Sequence, residues 1–411
     1  MPLFARKSLY SGSWRALGWS SAIQAVGSAA ALGAVSVVAH LRGPAAQGSF
    51  SAIKAEIDFL AVTLCFGLPQ ALFFAIQTRH LTQRDGVLVA LTHSLIATLA
   101  VWLWSSVIAD QGTLASLLYS GTVGAAVAYS SLRGAALASR TTTEFSVLSA
   151  APGVLLLAVV VLALCFELPT GESRNWTLGL FSVVYLVTSV MGIASSRVPR
   201  LPRLTDLSLR RLQELYRYGG ATWLSASTQS AGALCAFAWL EHVLVLPEEV
   251  GIFSAGLVLV SLLVTPLNLA APLLLKHWTG RNAEGRKDEF LYLSGAFIAL
   301  AAVLCGMVAL SRDAIVAVAF GAAYLDHSGV IALTACAVPT QGLTKIVGIA
   351  LSAAGNPGTA ALVDIARLMA LASGLLFWGD SLQNVAIAWL VAEYSSALIA
   401  IAILARQRWK R

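Results

Sequence analysis

Apolar residues run through this chain in long blocks divided by short polar stretches, with no sustained alternation at the strand period. A block of about 20 apolar residues is the length of a helix that crosses a bilayer core. The pattern predicts twelve such helices, at 17–39, 49–77, 86–108, 114–137, 146–166, 176–195, 219–240, 250–275, 290–310, 328–353, 359–379 and 383–404. The first block is long for a signal-peptide core and has Arg6, Lys7 and Arg15 in front of it, so it reads as a retained helix.

The polar stretches carry a second pattern. With the N-terminus inside, the inner loops hold 21 of the 27 Lys and Arg residues and the outer loops hold three, Arg42, Arg174 and Arg312. Inner loops of membrane proteins are enriched in basic residues. The alternation therefore supports both the helix count and cytoplasmic N- and C-termini. The inner loop near 354–358 carries neither Lys nor Arg. The longest inner loop, 196–218, is rich in Arg and also holds Leu204, Leu207, Leu212 and Leu215. It reads as a basic connector, and its leucine spacing also suits a short amphipathic helix on the membrane surface.

The second half echoes the first. At an offset of 203 residues, Pro44, Gly48, Phe50, Ser51, Ala52, Pro69 and Leu72 match Pro247, Gly251, Phe253, Ser254, Ala255, Pro272 and Leu275. Further on the offset becomes 214, where Gly134, Ala136 and Leu137 meet Gly348, Ala350 and Leu351. Each half then has six helices, so both start from the same side of the membrane. The expected architecture is an all-α polytopic membrane protein. It has an N-terminal six-helix bundle over 1–195, a linker over 196–218 and a C-terminal bundle over 219–411. Pro69 and Pro272 fall inside the second and eighth predicted helices. A proline there removes a hydrogen bond and bends the helix, which makes both candidate hinges.

Composition agrees: 58% of residues are hydrophobic and 11% are charged, far from a soluble domain. The net charge of +7 belongs to the inner loops, which removes nucleic acid as the reason for it. The five cysteines sit in apolar blocks at unrelated spacings and imply neither a disulfide framework nor a metal site. No cofactor is expected.

Seven charges fall inside the predicted helices: Lys54, Glu56, Asp58, Lys345, Asp364, Arg367 and Glu393. Each costs about 2.5–3.5 kcal/mol at the bilayer centre unless it pairs or faces a cavity. Lys54 and Asp58 are four apart, and Asp364 and Arg367 three apart, so each couple can pair on one helix face. Glu56 points to another face, and Lys345 and Glu393 have no partner in their own helices. On chemistry alone, Lys54, Lys345 and Arg367 are the candidates for an anionic cargo. Glu56, Asp58, Asp364 and Glu393 are the candidates for ion coupling, because a buried carboxylate binds a proton more readily. The total is nearly neutral, unlike a cavity made for a diphosphate. Gln24, Gln70, Gln77, Gln229, Asn268 and Gln341 suit the lining of a sugar-binding cavity, but bridging between helices by hydrogen bonds is the favoured reading.

The strings LRGPAAQGSFSA, FGLPQALFF and LPEEVGIFSAGLVLVSLL resemble those of the polysaccharide-repeat-unit flippases. That family belongs to a larger superfamily with the multidrug and toxin extrusion transporters and the lipid II flippases. The resemblance covers the whole chain. It implies a V-shaped pair of six-helix bundles around a central cavity and a location in the bacterial inner membrane. The implied cargo is an oligosaccharide carried on undecaprenyl diphosphate, moved by ion-coupled alternating access. The implied partners are that cargo, membrane lipids, a polysaccharide polymerase and a chain-length regulator. The chain departs from the family at the start of helix seven, where GGATWLSAS lacks a proline. A drug antiporter of the extrusion type is the alternative; it should show buried acids without buried bases. An enzyme is disfavoured by the short outer loops and by six histidines in no catalytic arrangement, with His93 alone in helix three.

Overall fold

The computed structural model describes residues 7–108, 112–139, 141–196, 209–279, 283–354 and 356–406, and its elements there are helices and turns. In chain order the helices are α1 (Lys7–Leu64), α2 (Leu68–Gln77), α3 (Gln83–Leu103), α4 (Thr113–Ser139), α5 (Thr142–Cys165), α6 (Arg174–Ser195) and α7 (Leu209–Ala238). They continue with α8 (Pro247–Thr279), α9 (Ala283–Leu310), α10 (Arg312–Phe320), α11 (Ser328–Ala335), α12 (Val338–Ala353), α13 (Pro357–Trp378) and α14 (Leu382–Arg406). Single π turns extend α3 and α7.

Among the described residues, nine helical runs are long and apolar enough to cross a membrane. One of them, Trp19–Leu64, is two arms joined at Gly43, and α4 and α7 complete the expected twelve. Gly43 has φ 76° and ψ −175°, a conformation that costs glycine little and other residues much. Pro44 then opens the next arm, at a position where a helix does not use the N–H. The outer loop expected over 40–48 thus shrinks to one residue.

Other differences also follow from local chemistry. The second predicted helix, 49–77, is interrupted at residues 65–67, where Phe66 has φ 51° and Gly67 has φ 70°. Pro69 therefore stands in the first turn of α2 rather than inside a continuous helix, and its ring fits there. Pro272 falls within α8, which runs without interruption. The tenth predicted helix is split between α11 and α12, again with a proline, Pro339, in the first turn after the break. The expected outer loop 311–327 is mostly helical, with Phe320 and Tyr324 buried. Residues 209–218 continue directly into α7, while 197–208 of the linker lie outside the described residues.

The chain divides into two compact units. The first is Met1–Ala34, Leu64–Val159 and Leu178–Gly219; the second is Val35–Thr63, Val160–Thr177 and Gly220–Arg411. In the first unit, Leu68, Leu72, Val87, Leu132 and Leu215 form one buried cluster, joined by Leu212 and Tyr216. Two linker leucines thus face protein rather than lipid. Helix α5 crosses α1 closely there, because a Cβ on Gly27 would collide with Ala150 and one on Gly153 with the Gly27 carbonyl.

In the second unit the repeated motif meets itself. A Cβ on Gly48 would lie 2.7 Å from the Gly251 nitrogen and 2.8 Å from the Pro247 oxygen. A Cβ on Gly251 would collide with the Pro44 carbonyl. Small residues let helix backbones approach in this way, where side-chain packing and polar contacts supply the attraction. Gln47 seals the crossing by donating to Ser254 (2.8 Å) and accepting from the Tyr324 hydroxyl.

Candidate functional site

Helices α7, α8, α12, α13 and α14 of the second unit present a connected set of polar side chains. Asp364 on α13 is buried and accepts hydrogen bonds from the Ser225 hydroxyl and the Gln229 amide (3.0 Å), both on α7. Ser225 and Gln229 are one turn apart and so share a helix face. Arg367, one turn along α13, does not ion-pair with Asp364. Its Nη1 donates to Glu393 Oε1 on α14 at 2.8 Å, and its Nη2 donates to the Gln229 carbonyl at 2.9 Å. Gln341 on α12 donates to the same Glu393 oxygen at 2.9 Å. Lys345, one turn further along α12, donates to the Asn268 side chain on α8.

The Arg367–Glu393 pair is deeply placed, with side chains 12% and 2% exposed. Burying two charges is tolerated when geometry is good and the remaining lone pairs are filled. Here Gln341 fills one of them. The guanidinium lies over the Trp389 ring, 5.8 Å from its centroid, a cation–π arrangement. Gly232 on α7 lies alongside it, where an added Cβ would meet Nη2 at 3.4 Å, an ordinary contact. Asp364 differs in kind. Its direct partners are neutral donors, and the charges of Arg367 and Lys345 reach it only at longer range.

The four C-terminal candidates Lys345, Asp364, Arg367 and Glu393 therefore fall in one neighbourhood. Lys54, Glu56 and Asp58, on the second arm of α1, form ion pairs there. Lys54 bonds Asp58 as their spacing predicts, and Glu56 accepts from Arg174 at 2.8 Å. These side chains are partly exposed, between 24% and 47%.

The bridging role expected of the uncharged polar residues holds for Gln229, Asn268 and Gln341, and also for Gln24, which bonds Ser146, and Gln77, which bonds the Ala138 carbonyl. Ser225 and Trp389 were not singled out in the sequence. Each lies four residues from a named polar residue, Gln229 and Glu393, and that spacing is the signal that points to them. His93 is not alone. It bonds the Tyr216 hydroxyl (2.9 Å) and the Leu64 carbonyl, which the break at 65–67 has released from its helix. One residue earlier in the chain, the Thr63 carbonyl accepts from Trp223 at 2.7 Å. Freed carbonyls in a bilayer must find such donors.

No family model matches the chain, and no curated protein matches it in sequence. Solved structures do match. A MATE transporter in complex with MaL6 superposes with a TM-score of 0.70 at 14% identity, covering 96% of this chain and 96% of that one. The outward-facing form of a multidrug resistance MATE family transporter of the MOP superfamily gives 0.69 at 14% identity, covering 96% and 95%. A MOP superfamily transporter from Pyrococcus furiosus, described as having a binding pocket of reverse polarity, gives 0.68 at 15% identity, covering 96% and 95%. This chain is a multi-pass membrane protein. Its fold is that of the MATE transporters of the MOP superfamily.

Proposed function

We propose that this protein is an ion-coupled transporter that flips undecaprenyl-diphosphate-linked oligosaccharides across the bacterial inner membrane. The observation that carries the transport reading is the Asp364 network, a buried carboxylate held by neutral donors among membrane-crossing helices. Ionisable groups at such depth are costly and belong to ion and substrate paths. Asp364 serves as the coupling carboxylate. Lys345 is bonded to a neutral amide, so a cargo phosphate has no carboxylate to displace there. In this reading the lipid tail stays in the bilayer while the head group crosses. The motif likeness of helices two and eight to repeat-unit flippases supports the cargo class.

The test uses inverted membrane vesicles and a fluorescent polyprenyl-diphosphate trisaccharide. Lys345→Ala should abolish its translocation, and Asp364→Asn should remove the dependence of the rate on the ion gradient, both at normal protein level. Full translocation by Lys345→Ala would remove Lys345 from the cargo path. A second reading, a drug antiporter, draws on the multidrug resistance MATE neighbour and on the pairing of Lys54 and Arg367 with carboxylates. Cation-dependent ethidium efflux from the same vesicles, with no flipping of the trisaccharide, would select it.

A further inference from the structure

We infer that Arg367 and Glu393 are positioning residues: they brace Gln229 so that Asp364 keeps a fixed pair of neutral donors, and neither touches cargo. The inference rests on reading Asp364 as the coupling carboxylate, and it reassigns two residues whose charge alone nominates them for cargo and ion.

Arg367 commits both arms of its fork, and the remaining Nε–H is buried. One arm of its fork is given to Glu393 and the other to the Gln229 carbonyl. Trp389 covers a face of the guanidinium. A phosphate arriving there would displace Glu393 and leave a carboxylate buried without a cation, which is the costly way to break a buried pair. Glu393 puts one oxygen into this brace, since Arg367 and Gln341 both donate to Oε1.

Gln229 is the element through which this brace acts. Its carbonyl is held by Arg367 while its side-chain amide donates to Asp364. Asp364 and Arg367 lie on the same helix, and the geometry routes them through α7 instead of pairing them directly. The brace therefore ties α7 to α13 and α14 at the level of the coupling group. Lys345 on α12 and Arg367 are the charges whose fields reach Asp364, and Ser225 and Gln229 face it from α7. Removing Arg367 and Glu393 together leaves the net charge unchanged but also removes the field of Arg367 at Asp364, so Arg367→Lys, which keeps the charge, is the variant that reports position.

The experiment uses the full chain in detergent and in vesicles. Arg367→Met alone strands Glu393, and its failure to fold would be uninformative. The working variants are therefore the Arg367→Met/Glu393→Leu double and Arg367→Lys, which is expected to keep the Glu393 pair and lose the hold on Gln229. Thermal midpoint is recorded against pH, and the difference from Asp364→Asn isolates the titration of Asp364. In both working variants the proton concentration at half effect should change about tenfold, one pH unit. KM for the fluorescent polyprenyl-diphosphate trisaccharide should stay within about threefold, as expected when no uniform binding contact is lost. An unmoved pH midpoint with a KM raised about tenfold would place Arg367 on the cargo and overturn the inference. If wild type and Asp364→Asn share one pH profile, it is the reading of Asp364 that fails, a result distinct from either of the others.

Discussion

The second arm of α1 with α2 (44–77) and the helix α8 (Pro247–Thr279) open with the same Pro-x-x-x-Gly-x-Phe-Ser-Ala string, yet the first breaks at residues 65–67 and the second does not. Both carry a proline at the matching position, Pro69 and Pro272, so proline alone is not what breaks the helix. The repeat offset pairs Cys65, Phe66 and Gly67 with Asn268, Leu269 and Ala270. Gly67 takes φ 70° at little cost, a conformation Ala270 could adopt only with strain. The first segment also has neighbours ready for its freed carbonyls, with His93 on Leu64 and Trp223 on Thr63. At the position matching Cys65, the unbroken helix instead offers Asn268 to Lys345. A duplicated sequence has thus been turned to two uses, a broken helix in one half and a polar site in the other.

The largest expected effect tests the asymmetry at another matched pair. A Cβ on Gly134 would collide with the backbone of Pro69, whereas one on Gly348 meets open space. Gly134→Leu should cost about 3 kcal/mol or more through overpacking, and Gly348→Leu should stay within about 0.5 kcal/mol. Thermal midpoints of the two detergent-purified variants check this, and equal losses would mean that the halves are packed alike. Next comes His93→Ala, which strands the Leu64 carbonyl and should cost about 1–3 kcal/mol, the penalty of a buried unsatisfied polar group. Tyr216→Phe should cost less, because His93 keeps its bond to Leu64. The reverse order would show that the Tyr216 bond, not the freed carbonyl, is what His93 serves.

Gly67→Ala should cost about 1–2 kcal/mol, the strain of a left-handed residue that has a Cβ. A midpoint unchanged from wild type would mean that the break relaxes into regular helix without loss. Smallest is Pro69→Ala. In the first turn of α2 the ring fits without bending anything, so the change should fall within about 1 kcal/mol. A loss of several kcal/mol, measured by the same thermal scan, would restore proline as the cause of the break.

Much of the fold is legible in the sequence, because crossing a bilayer leaves a coarse mark: an apolar block long enough to span. The structure accordingly places a helix at each of the twelve blocks. Breaks are harder to read. Prolines at 69 and 339 mark their neighbourhood, but the interruptions lie before them, at residues 65–67 and 336–337, where turn geometry and neighbouring donors act. At the candidate site, the Lys54–Asp58 pair follows from spacing within one helix. The same reasoning expects Asp364 to pair with Arg367, whereas the chain gives Arg367 to Glu393 and Asp364 to Ser225 and Gln229. Local spacing says which residues are able to meet on one helix, and nothing about better partners on the next.

The sequence by itself determined that this protein crosses the membrane many times, and that one motif recurs at a spacing of 203 residues. Both are properties of composition and order along the chain, and they hold whatever the helices do in space. Only the tertiary structure decided that Gly48 and Gly251 meet each other, that His93 serves a broken helix, and that Arg367 is bound to Glu393. Those outcomes depend on which helices become neighbours. In a bilayer that choice is made by close backbone packing and by the need of every buried polar group for a partner.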